Sequence, residues 1–415
     1  MNSRLTDPYL DSMNLLNELS LLYPGAVSFG SGRPKEELFE VESVVSGIKD
    51  YAARHKPALV GSDNLNRLGQ YNMTKGIINE SISRLLLNDE GITADPEDIL
   101  LTDGAQEGMA IVIHALFGSP EDVLMISEPS YVGFVGYAKI CGIPLCPIGR
   151  KEGGMDLDEL EEKMLALHNQ GKRLRAVYEV PDFHNPTAEY MPLNSRRRLL
   201  DLAEKYDFYI VEDNPYGYYL YEGEKIPTLK ALDIHRRVIY IGSFSKTIFP
   251  SLRLGYLVAD LDLSIGSRKV RLSELCKKVK SFLTVNTSAL LQAMAGELLE
   301  REDFSLKSFV KPKVSSCLHS RNLLLSALDR HLEGRCTVAK PAGGFFMAAE
   351  CSFEWTRPLL MECVRDYGVI ICPMYMFRLN ETDRSHGFRL AFSNLDPETI
   401  ETGAERLGAF IRNRI

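Results

Sequence analysis

Short apolar segments alternate with amphipathic helical patterns through the middle of the chain. Six segments rich in Val, Ile and Leu follow one another: DILLT, DVLMIS, LRAVYEV, FYIVED, VIYIGSF and LGYLVA. Longer segments with helical periodicity separate several of them, namely AQEGMAIVIHALF, LDELEEKMLALHNQ and SRRRLLDLAEKY. Because strands that alternate with helices form parallel sheets covered on both faces, the sequence predicts an α/β protein with a mostly parallel sheet.

The pattern changes toward the C-terminus. From about Ser305 a long helical segment, which includes SSCLHSRNLLLSALDRHL, is followed by short mixed elements. A chain of 415 residues is also long for a single hydrophobic core. We therefore predict a large domain over residues 46–305 and a smaller α+β domain formed by residues 1–45 and 306–415.

Composition and charge narrow the functional classes. Hydrophobic residues make up 45% of the chain and charged residues 25%, as in ordinary globular proteins. The formal net charge of −8 favours neither nucleic acid nor an anionic membrane surface as a partner. No apolar segment approaches the roughly 18 residues of a membrane span, and the opening MNSRLTDPYLDSMNLL lacks a signal-peptide pattern. We expect a soluble protein of the cytoplasm.

The eight cysteines are scattered along the chain without a CxxC pair. This distribution is typical of reduced thiols in a cytosolic protein. Cys141 and Cys146 could form half of a metal site, but neither a second pair nor a group of histidines accompanies them. We predict no metal site.

Polar residues follow five of the predicted strands, at the point where each strand ends. They are Gly104–Gln106, Tyr131, Asn185, Asp213 with Tyr216, and Ser243–Lys246. The carboxyl ends of parallel strands meet at one edge of a sheet, and ligands bind beyond that edge. We therefore expect these residues to surround a single ligand.

The segment GSFSKTIFPSLRLGYL places Lys246 and Arg253 among apolar residues. Burying a cation is costly unless an anion compensates it, so either these cations reach the surface or they bind a buried anion. The neighbouring residues favour phosphate, because Ser243 and Ser245 offer hydroxyl donors and Arg253 offers a planar guanidinium for two phosphate oxygens. The small residues of TDGAQEG would expose helix N-terminal N–H groups to it, although such turns most often hold no ligand.

The remaining strand-end residues suit an aromatic cofactor. Asp213 ends an apolar strand, where a buried cationic nitrogen would keep its carboxylate ionised; capping a helix is the alternative role. Asn185 and Tyr216 suit a phenolic oxygen and Tyr131 offers a ring for stacking, although each alone is more often a turn or core residue. With a phosphate site and the amine of Lys246, these features describe pyridoxal 5′-phosphate held as a Schiff base. Lys246 would also move the proton at the substrate Cα, while Asp213 kept the ring nitrogen protonated.

The chain resembles the fold-type I pyridoxal-phosphate enzymes of the class I/II aminotransferase family along nearly its whole length. The motifs that carry the resemblance are, in family order, SFGSGRP, GQYNMTKG, TDGAQE, EPSY, PDFHNPTA, VEDNPYG, GSFSKTIFPSLRLGYL, PAGGFFM and HGFRLAFS. The opening ELSLLYPGAVSFGSGRP is similar to aminotransferases of specialised metabolism, such as the dihydroxyphenylglycine type. The resemblance implies an enzyme that moves an amino group between an α-amino acid and a 2-oxo acid by a ping-pong mechanism.

The resemblance also implies a role for each matching residue. Lys246, Asp213 and Tyr216 are the implied catalytic residues, with Asn185 and Tyr216 at the ring oxygen and Tyr131 stacked on the ring. The implied phosphate ligands, at the turn that begins with Gly104 and in the Lys246 segment, are Ala105, Gln106, Ser243, Ser245 and Arg253. Tyr71 would reach the phosphate of the neighbouring subunit, which implies a homodimer with two shared sites. Substrate would be bound by Arg389, which grips the α-carboxylate, by Asn185, and by the backbone at Gly32.

The sequence departs from the family pattern at several positions. Ala105 occupies a position where Ser also occurs, so a side-chain contact to phosphate is missing. In CPMYMF, Met374 and Tyr375 stand where relatives have small residues, and we expect them to reshape the substrate pocket. TAEY replaces the usual Thr-Gly after Asn-Pro. Arg33 in SGRP is either a second anion contact or a solvent-facing residue.

Two other functions stay open at this point. The same cofactor site supports elimination, replacement, oxidation or condensation, and the sequence discriminates poorly among these outcomes. A ligand-sensing effector domain of a regulator would carry a helix-turn-helix ahead of the aminotransferase-like part. SFGSGRP begins at residue 28, which leaves no room for such a module, so we expect an enzyme.

Overall fold

The protein is described by a computed structural model that covers residues 3–55, 64–151, 153–379 and 384–415. A seven-stranded sheet lies at its centre, with the strands in the spatial order β1-β7-β6-β5-β4-β2-β3. In chain order these strands are β1 Ile99–Thr102, β2 Asp122–Ser127, β3 Leu145–Ile148, β4 Arg173–Glu179, β5 Tyr209–Asn214, β6 Val238–Ser243 and β7 Gly255–Val258. Only β7 runs antiparallel to its neighbours in this sheet, and every other neighbouring pair is parallel.

The predicted α/β fold with a mostly parallel sheet is confirmed. Each of the six apolar segments contains a strand of this sheet, and these strands are almost wholly buried, as expected where helices cover both faces. The edge strand β3 was not predicted. Its sequence, LCPI, contains a proline and only intermediate burial at its first three residues, so it lacks the β-branched apolar pattern.

Helices connect the strands and cover both faces of the sheet. In the described residues the α-helices are Ser12–Leu22, Val41–Arg54, Asn64–Arg67, Asn79–Glu90, Ala105–Leu116, Val132–Cys141, Leu157–Asn169, Leu193–Tyr206, Leu229–Leu232, Leu272–Leu283, Ala289–Arg301, Lys307–Leu332, Arg357–Tyr367 and Pro397–Arg412. Side-chain caps fix several of their starts. Asp156, for example, accepts hydrogen bonds from the backbone N–H groups of Asp158 (3.0 Å) and Glu159 (3.2 Å).

The two faces of the sheet have separate cores because successive strand residues point in opposite directions. On one face, Leu124 and Ile126 of β2 pack with helices Ala105–Leu116 and Val132–Cys141. On the other face, Met125 packs with helices Leu157–Asn169 and Leu193–Tyr206. The polar residues that follow the strands are left at the edge between these layers.

A second sheet of four antiparallel strands is formed mainly by the C-terminal part of the chain. In spatial order its strands are β8 Cys336–Val338, β9 Phe346–Thr356, β11 Arg384–Ala391 and β10 Cys372–Pro373. Its core centres on Trp355, whose ring lies 5.4 Å from Phe388 and 5.2 Å from Phe410. The domain limits given above stay a prediction.

Three further strand pairs and several 3-10 segments complete the description. The pairs are Val27–Ser28 with Val369–Ile370, Arg150–Lys151 with Gly154–Met155, and Asp262–Ile265 with Arg268–Arg271. The 3-10 segments are Ser3–Thr6, Pro8–Asp11, Glu36–Leu38, Pro96–Asp98, Pro250–Leu252 and Met374–Phe377. Among the described helices, none has the length and apolar character needed to span a lipid bilayer.

Candidate active site

A cavity of about 360 Å³ opens at the carboxyl edge of the central sheet. Twelve of the residues singled out from the sequence line it: Gly32, Ala105, Gln106, Tyr131, Asn185, Asp213, Tyr216, Ser243, Ser245, Lys246, Arg253 and Arg389. They come from loops after five different strands and from the second sheet. The structure therefore brings together residues that lie more than 350 positions apart in the sequence.

Lys246 lies in the loop that follows β6. Its Nζ atom donates a hydrogen bond of 3.0 Å to the backbone carbonyl of Gly32. The pKa of this amine is lowered to about 8, chiefly by burial and in addition by the positive charges of Arg253, Arg33 and Arg389. A neutral amine is the form that reacts with a carbonyl carbon, so the surroundings of Lys246 suit a nucleophile.

Asp213 lies near the end of β5 with 3% of its surface exposed. Its Oδ2 atom accepts a hydrogen bond of 2.9 Å from the hydroxyl of Tyr178, but Oδ1 is buried and has no hydrogen-bond partner among the described residues. Burial raises the pKa of this carboxyl to about 7, and the Tyr178 hydrogen bond opposes that rise. A buried carboxylate oxygen without a partner is costly and suits a cationic donor.

An anion site lies at the start of helix Ala105–Leu116. No side chain caps this N-terminus, and Gly104 precedes it with φ +75°. The Arg253 guanidinium lies against the turn, because a Cβ on Gly104 would come within 2.5 Å of Nη2. Ser243 Oγ, which accepts the Ser245 N–H at 3.1 Å, lies on the same side of the cavity. The helix N–H groups, the two serine hydroxyls and the guanidinium are together suited to bind a dianion, and we call this group the anion seat.

Two tyrosine side chains, Tyr131 and Tyr216, also line the cavity. The Tyr131 ring packs over Gly133, where a Cβ would lie only 2.5 Å from its Cε1 atom. The Tyr216 ring is buried, 5.4 Å from the ring of Phe345. Burial raises the pKa of Tyr131 to about 12 and also raises that of Tyr216, so both hydroxyls stay protonated.

Arg389, in β11, closes the other end of the cavity. It is 5% exposed, and its Nη1 donates to Asn185 Oδ1 at 2.5 Å while Nη2 donates to the Gly30 carbonyl. Its Nε is buried without a hydrogen-bond partner among the described residues. The rings of Phe346 (4.2 Å) and Phe377 (5.0 Å) flank the guanidinium carbon. A fixed, incompletely bonded guanidinium is suited to a carboxylate.

Two of the singled-out residues, Tyr71 and Arg33, do not line this cavity. Tyr71 is 73% exposed. Gln106 does line it, and its side-chain amide donates to the Gly133 carbonyl at 2.9 Å. Arg33 is exposed and donates to Ser31 Oγ at 3.0 Å.

The CPMYMF segment reaches the cavity through residues other than those expected. Met376 and Phe377 line it, whereas Met374 and Tyr375 do not. Met374–Phe377 forms a 3-10 turn, in which the Phe377 ring lies against the Arg389 guanidinium while Met374 packs beside Gly387. The expectation that Met374 and Tyr375 reshape the substrate pocket stays a prediction, since neither side chain lines the cavity itself.

Comparison with known proteins decides the family. The protein-family model described as "Aminotransferase class I and II" matches residues 25–407. (S)-3,5-dihydroxyphenylglycine transaminase of Amycolatopsis orientalis is 40% identical over 100% of this chain and 94% of its own. Aromatic-amino-acid aminotransferase 1 of Thermococcus litoralis is 30% identical over 94% of this chain and 88% of its own length. The solved structure of Pyrococcus horikoshii kynurenine aminotransferase in complex with PMP superposes with a TM-score of 0.85. The two sequences are 26% identical, and the match covers 98% of this chain and 95% of the other.

The chain belongs to the class I and II aminotransferases. It is a fold-type I enzyme that transfers amino groups, and its cofactor is pyridoxal phosphate.

The cavity of this aminotransferase fits that cofactor. The unpartnered Oδ1 of Asp213 suits a protonated ring nitrogen, and the seat at Gly104 suits the phosphate. Lys246 carries an amine whose pKa is lowered to about 8, which suits a covalent link to an aldehyde. When bound, pyridoxal phosphate supplies the aldehyde carbon that takes up the amino group and a ring that withdraws electrons from the substrate Cα.

Sequence reasoning missed several residues of the aminotransferase site. Tyr178, which orients Asp213, lies within the predicted strand LRAVYEV, and a lone hydroxyl in a buried strand beside the one that carries Asp213 was the available signal. Ser12, Met13 and Leu16 of the first helix also line the cavity, and only the three-dimensional structure shows this, since that helix carries no motif. Phe346 lines it as well; it lies in the motif PAGGFFM, to which no role was assigned.

Proposed function

We propose that the enzyme transfers an amino group from an α-amino acid with an uncharged aromatic side chain to a 2-oxo acid by a ping-pong mechanism. The proposed substrate class rests on the small number of charged residues that line the cavity. In the described part of the chain its charged lining residues are Asp213, Lys246, Arg253 and Arg389. The cofactor accounts for the first three, so one guanidinium remains, enough for a single substrate carboxylate.

The rest of the substrate end is apolar. Leu16, Phe346, Met376 and Phe377 line the same cavity as Arg389, and among the described lining residues at this end no second cation is present for another carboxylate. Burying an unpaired carboxylate in such surroundings is costly, whereas an aromatic ring gains contact with sulfur and ring edges. A 40% identical relative named for a phenylglycine substrate supports the same class.

Within this function, we assign roles to the residues of the chain. Lys246 holds the cofactor and moves the proton at the substrate Cα, and Asp213 holds a proton on the ring nitrogen. Asn185 and Tyr216 donate to the ring oxygen, and Tyr131 stacks on the ring. The backbone at Gly104, Ala105 and Gln106, with Ser243, Ser245 and Arg253, binds the phosphate. Arg389 and the backbone at Gly32 orient the substrate.

We also propose a homodimer with shared sites. Large apolar side chains are exposed near residues 284 and 286, which line a second cavity: Phe282 is 93% exposed and Val285 49% exposed, and Met73, two residues after Tyr71, is 51% exposed. The same cavity is lined by Tyr71, Asp103 and Arg253, so this surface is continuous with the anion seat. Covering it with a second copy would bury the apolar side chains and place Tyr71 near the partner's phosphate. The eight free cysteines support our expectation of a reducing, cytoplasmic location.

A panel of amino acids tests the substrate class. The holoenzyme is mixed, without an acceptor, with 3,5-dihydroxyphenylglycine, phenylalanine, aspartate or 2-aminoadipate, and the cofactor absorbance is followed in a single turnover. We expect aromatic substrates to react at least about 100-fold faster than the two dicarboxylic acids, because one guanidinium pairs one carboxylate. Equal rates for aspartate would contradict the class. Oxo acid formed one-for-one with pyridoxamine phosphate, without ammonia, identifies amino transfer rather than elimination.

A further inference from the structure

Lys313 is a buried lysine outside the site described above. It lies on helix Lys307–Leu332 with 4% of its surface exposed. Within the described residues no carboxylate lies within 4 Å of its Nζ atom, which instead packs 4.3 Å from the ring centre of Phe309. Burial lowers the pKa of this amine to about 8, and the negative charge of Glu40 opposes that shift. A buried lysine that has no carboxylate in direct contact is destabilising, and an apolar side chain of similar length would fill the same space.

The contacts of Lys313 point to the reason for its presence. Its Nζ donates hydrogen bonds to the backbone carbonyls of Thr247 and of Ile248, the latter at 3.1 Å. These are the two residues that follow Lys246. The carbonyl of Lys246 itself accepts a hydrogen bond of 2.6 Å from the hydroxyl of Tyr219. Three successive carbonyls of one loop therefore each have a side-chain donor.

The geometry of this loop explains why donors are needed. The N–H of Ile248 bonds to the Phe244 carbonyl at 2.9 Å, which forms one helical turn that does not continue. The last carbonyls of a helical turn have no partner within it, and leaving them buried without donors is unfavourable. Lys313 and Tyr219 supply those donors from two other segments. The backbone that carries Lys246 is thereby fixed relative to both the sheet and the long helix.

We propose that Lys313 is a positioning residue for Lys246, holding the 246–248 turn so that the Lys246 amine keeps its place between the Gly32 carbonyl and the cavity. The inference rests on the proposed role of Lys246 in the function above. Because Lys313 does not line the cavity, its loss is expected to affect steps that use the Lys246 amine and to leave carboxylate binding by Arg389 nearly unchanged.

The test compares full-length holoenzymes that carry Lys313→Met or Lys313→Gln with a matched control, Lys230→Met. Lys230 is also buried (6% exposed) and donates to a backbone carbonyl, that of Val238 at 3.0 Å. It also pairs with Asp260 and Asp233, so its replacement is expected to cost at least as much stability as that of Lys313. Val238 begins β6, however, at the end of the strand away from the cavity. The measurements are deuterium exchange of the peptide that spans residues 243–253 and single-turnover kinetics with an aromatic amino acid.

For Lys313→Met we expect amide exchange in that peptide to accelerate by about tenfold or more, because the turn opens more often. We expect the single-turnover rate to fall by roughly 10- to 100-fold, with the half-saturating substrate concentration within about threefold of wild type. Lys313→Gln should lie between, since an amide can donate to one carbonyl. Lys230→Met should leave both measurements at wild-type values, even where it lowers the melting temperature.

Borohydride reduction of the wild-type holoenzyme distinguishes a failure of the proposed function from a failure of the role proposed for Lys313. If peptide mapping finds the reduced cofactor on a residue other than Lys246, the proposed function and this inference are both wrong. If it is on Lys246 but Lys313→Met shows wild-type exchange and rate, the inference alone is wrong. Should Lys313→Met fail to fold, Lys313→Gln decides by the same two measurements.

Discussion

The hydroxyl of Tyr178 donates a 2.9 Å hydrogen bond to Oδ2 of Asp213, a residue that lines the cavity, and leaves the buried Oδ1 atom without a hydrogen-bond partner among the described residues. The two residues lie on neighbouring parallel strands, β4 and β5. Tyr178 is fully buried and its ring stacks on Phe134 at 4.1 Å, so the hydroxyl has little freedom. In the proposed function, this buried pair would fix which carboxylate oxygen of Asp213 is available to the ring nitrogen.

Tyr178→Phe tests this relationship. Loss of the hydroxyl leaves both Asp213 oxygens without a donor from the chain and removes the hydrogen bond that opposes the rise of its pKa. We expect kcat to fall about tenfold with little change in KM, and the free energy of unfolding to fall by about 1–3 kcal/mol. Steady-state kinetics and urea unfolding measure these effects. Tyr240→Phe, at a buried tyrosine that does not line the cavity, should leave kcat unchanged.

Asp213→Asn tests the carboxylate itself. An amide cannot hold a protonated ring nitrogen by charge, so we expect kcat to fall by at least about 100-fold while the cofactor still binds. The matched control is Glu212→Gln, one residue earlier on β5. Glu212 is also fully buried, with a pKa that burial raises to about 8, but it accepts hydrogen bonds from the N–H groups of Leu229 and Lys230 on the opposite face. Equal losses in both variants would show a structural effect only.

The sequence was informative about the fold because burial on both faces leaves a strong signal. Each apolar run that marks a strand contains one, and the residue types at the strand ends already described the cofactor. The sequence pattern indicated neither the direction of β7 nor the presence of β3. A strand's direction depends on its neighbours, and LCPI has no periodicity that distinguishes it from a loop.

The substrate end of the site was harder to predict for a physical reason. Leu16, on the first helix, and Met376 and Phe377, on one 3-10 turn, are ordinary apolar residues, and only the fold brings them together in one cavity. Lys313 and Tyr178 act through other residues, so neither belongs to a recognisable motif. Chemistry-bearing residues could be predicted from their type, whereas positioning and specificity residues required the coordinates.

The amine of Lys246 should titrate well below an ordinary lysine in the apoprotein. Its pKa is lowered to about 8 by burial and by neighbouring cations, Arg253 first among them. Only the neutral amine is acylated, so labelling by acetic anhydride should rise with pH and reach half its maximum near pH 8. Peptide mapping gives the labelled fraction, with a lysine peptide as internal standard. Arg253→Gln should move the midpoint to higher pH, and an unchanged midpoint would contradict the electrostatic explanation.

The same lowered pKa makes a stability prediction with a defined sign. The unfolded chain has the ordinary lysine value of 10.5, so between about pH 8 and 10.5 the unfolded state binds more protons at Lys246 than the folded state. The contribution of this group to the free energy of unfolding therefore rises with pH across that window. Lys246→Met apoprotein should lose this rise, which urea unfolding at pH 7.5 and 10 can compare with wild type.

Arg389→Lys should weaken substrates that carry an α-carboxylate. A lysine cannot make the two parallel hydrogen bonds of a guanidinium, so we expect KM for aromatic amino acids to rise about 100-fold. An amine without a carboxylate, such as phenethylamine, should be unaffected in the same half-reaction assay. Arg33→Gln is the matched control, because Arg33 is exposed and does not line the cavity. A comparable loss in Arg33→Gln would instead assign it the second anion contact.

Phe282→Asp tests the proposed homodimer. Phe282 is 93% exposed in the single chain, at the end of helix Leu272–Leu283, and an aspartate buried at an interface would lack a partner. We expect the dimer dissociation constant to rise at least about 100-fold, measured by analytical ultracentrifugation. Cofactor retention should fall at the same protein concentrations, because Tyr71 would no longer reach the partner's phosphate. Leu21→Asp, at another exposed position (81%), should change neither quantity. A monomeric wild-type protein that retains its cofactor would contradict the shared site.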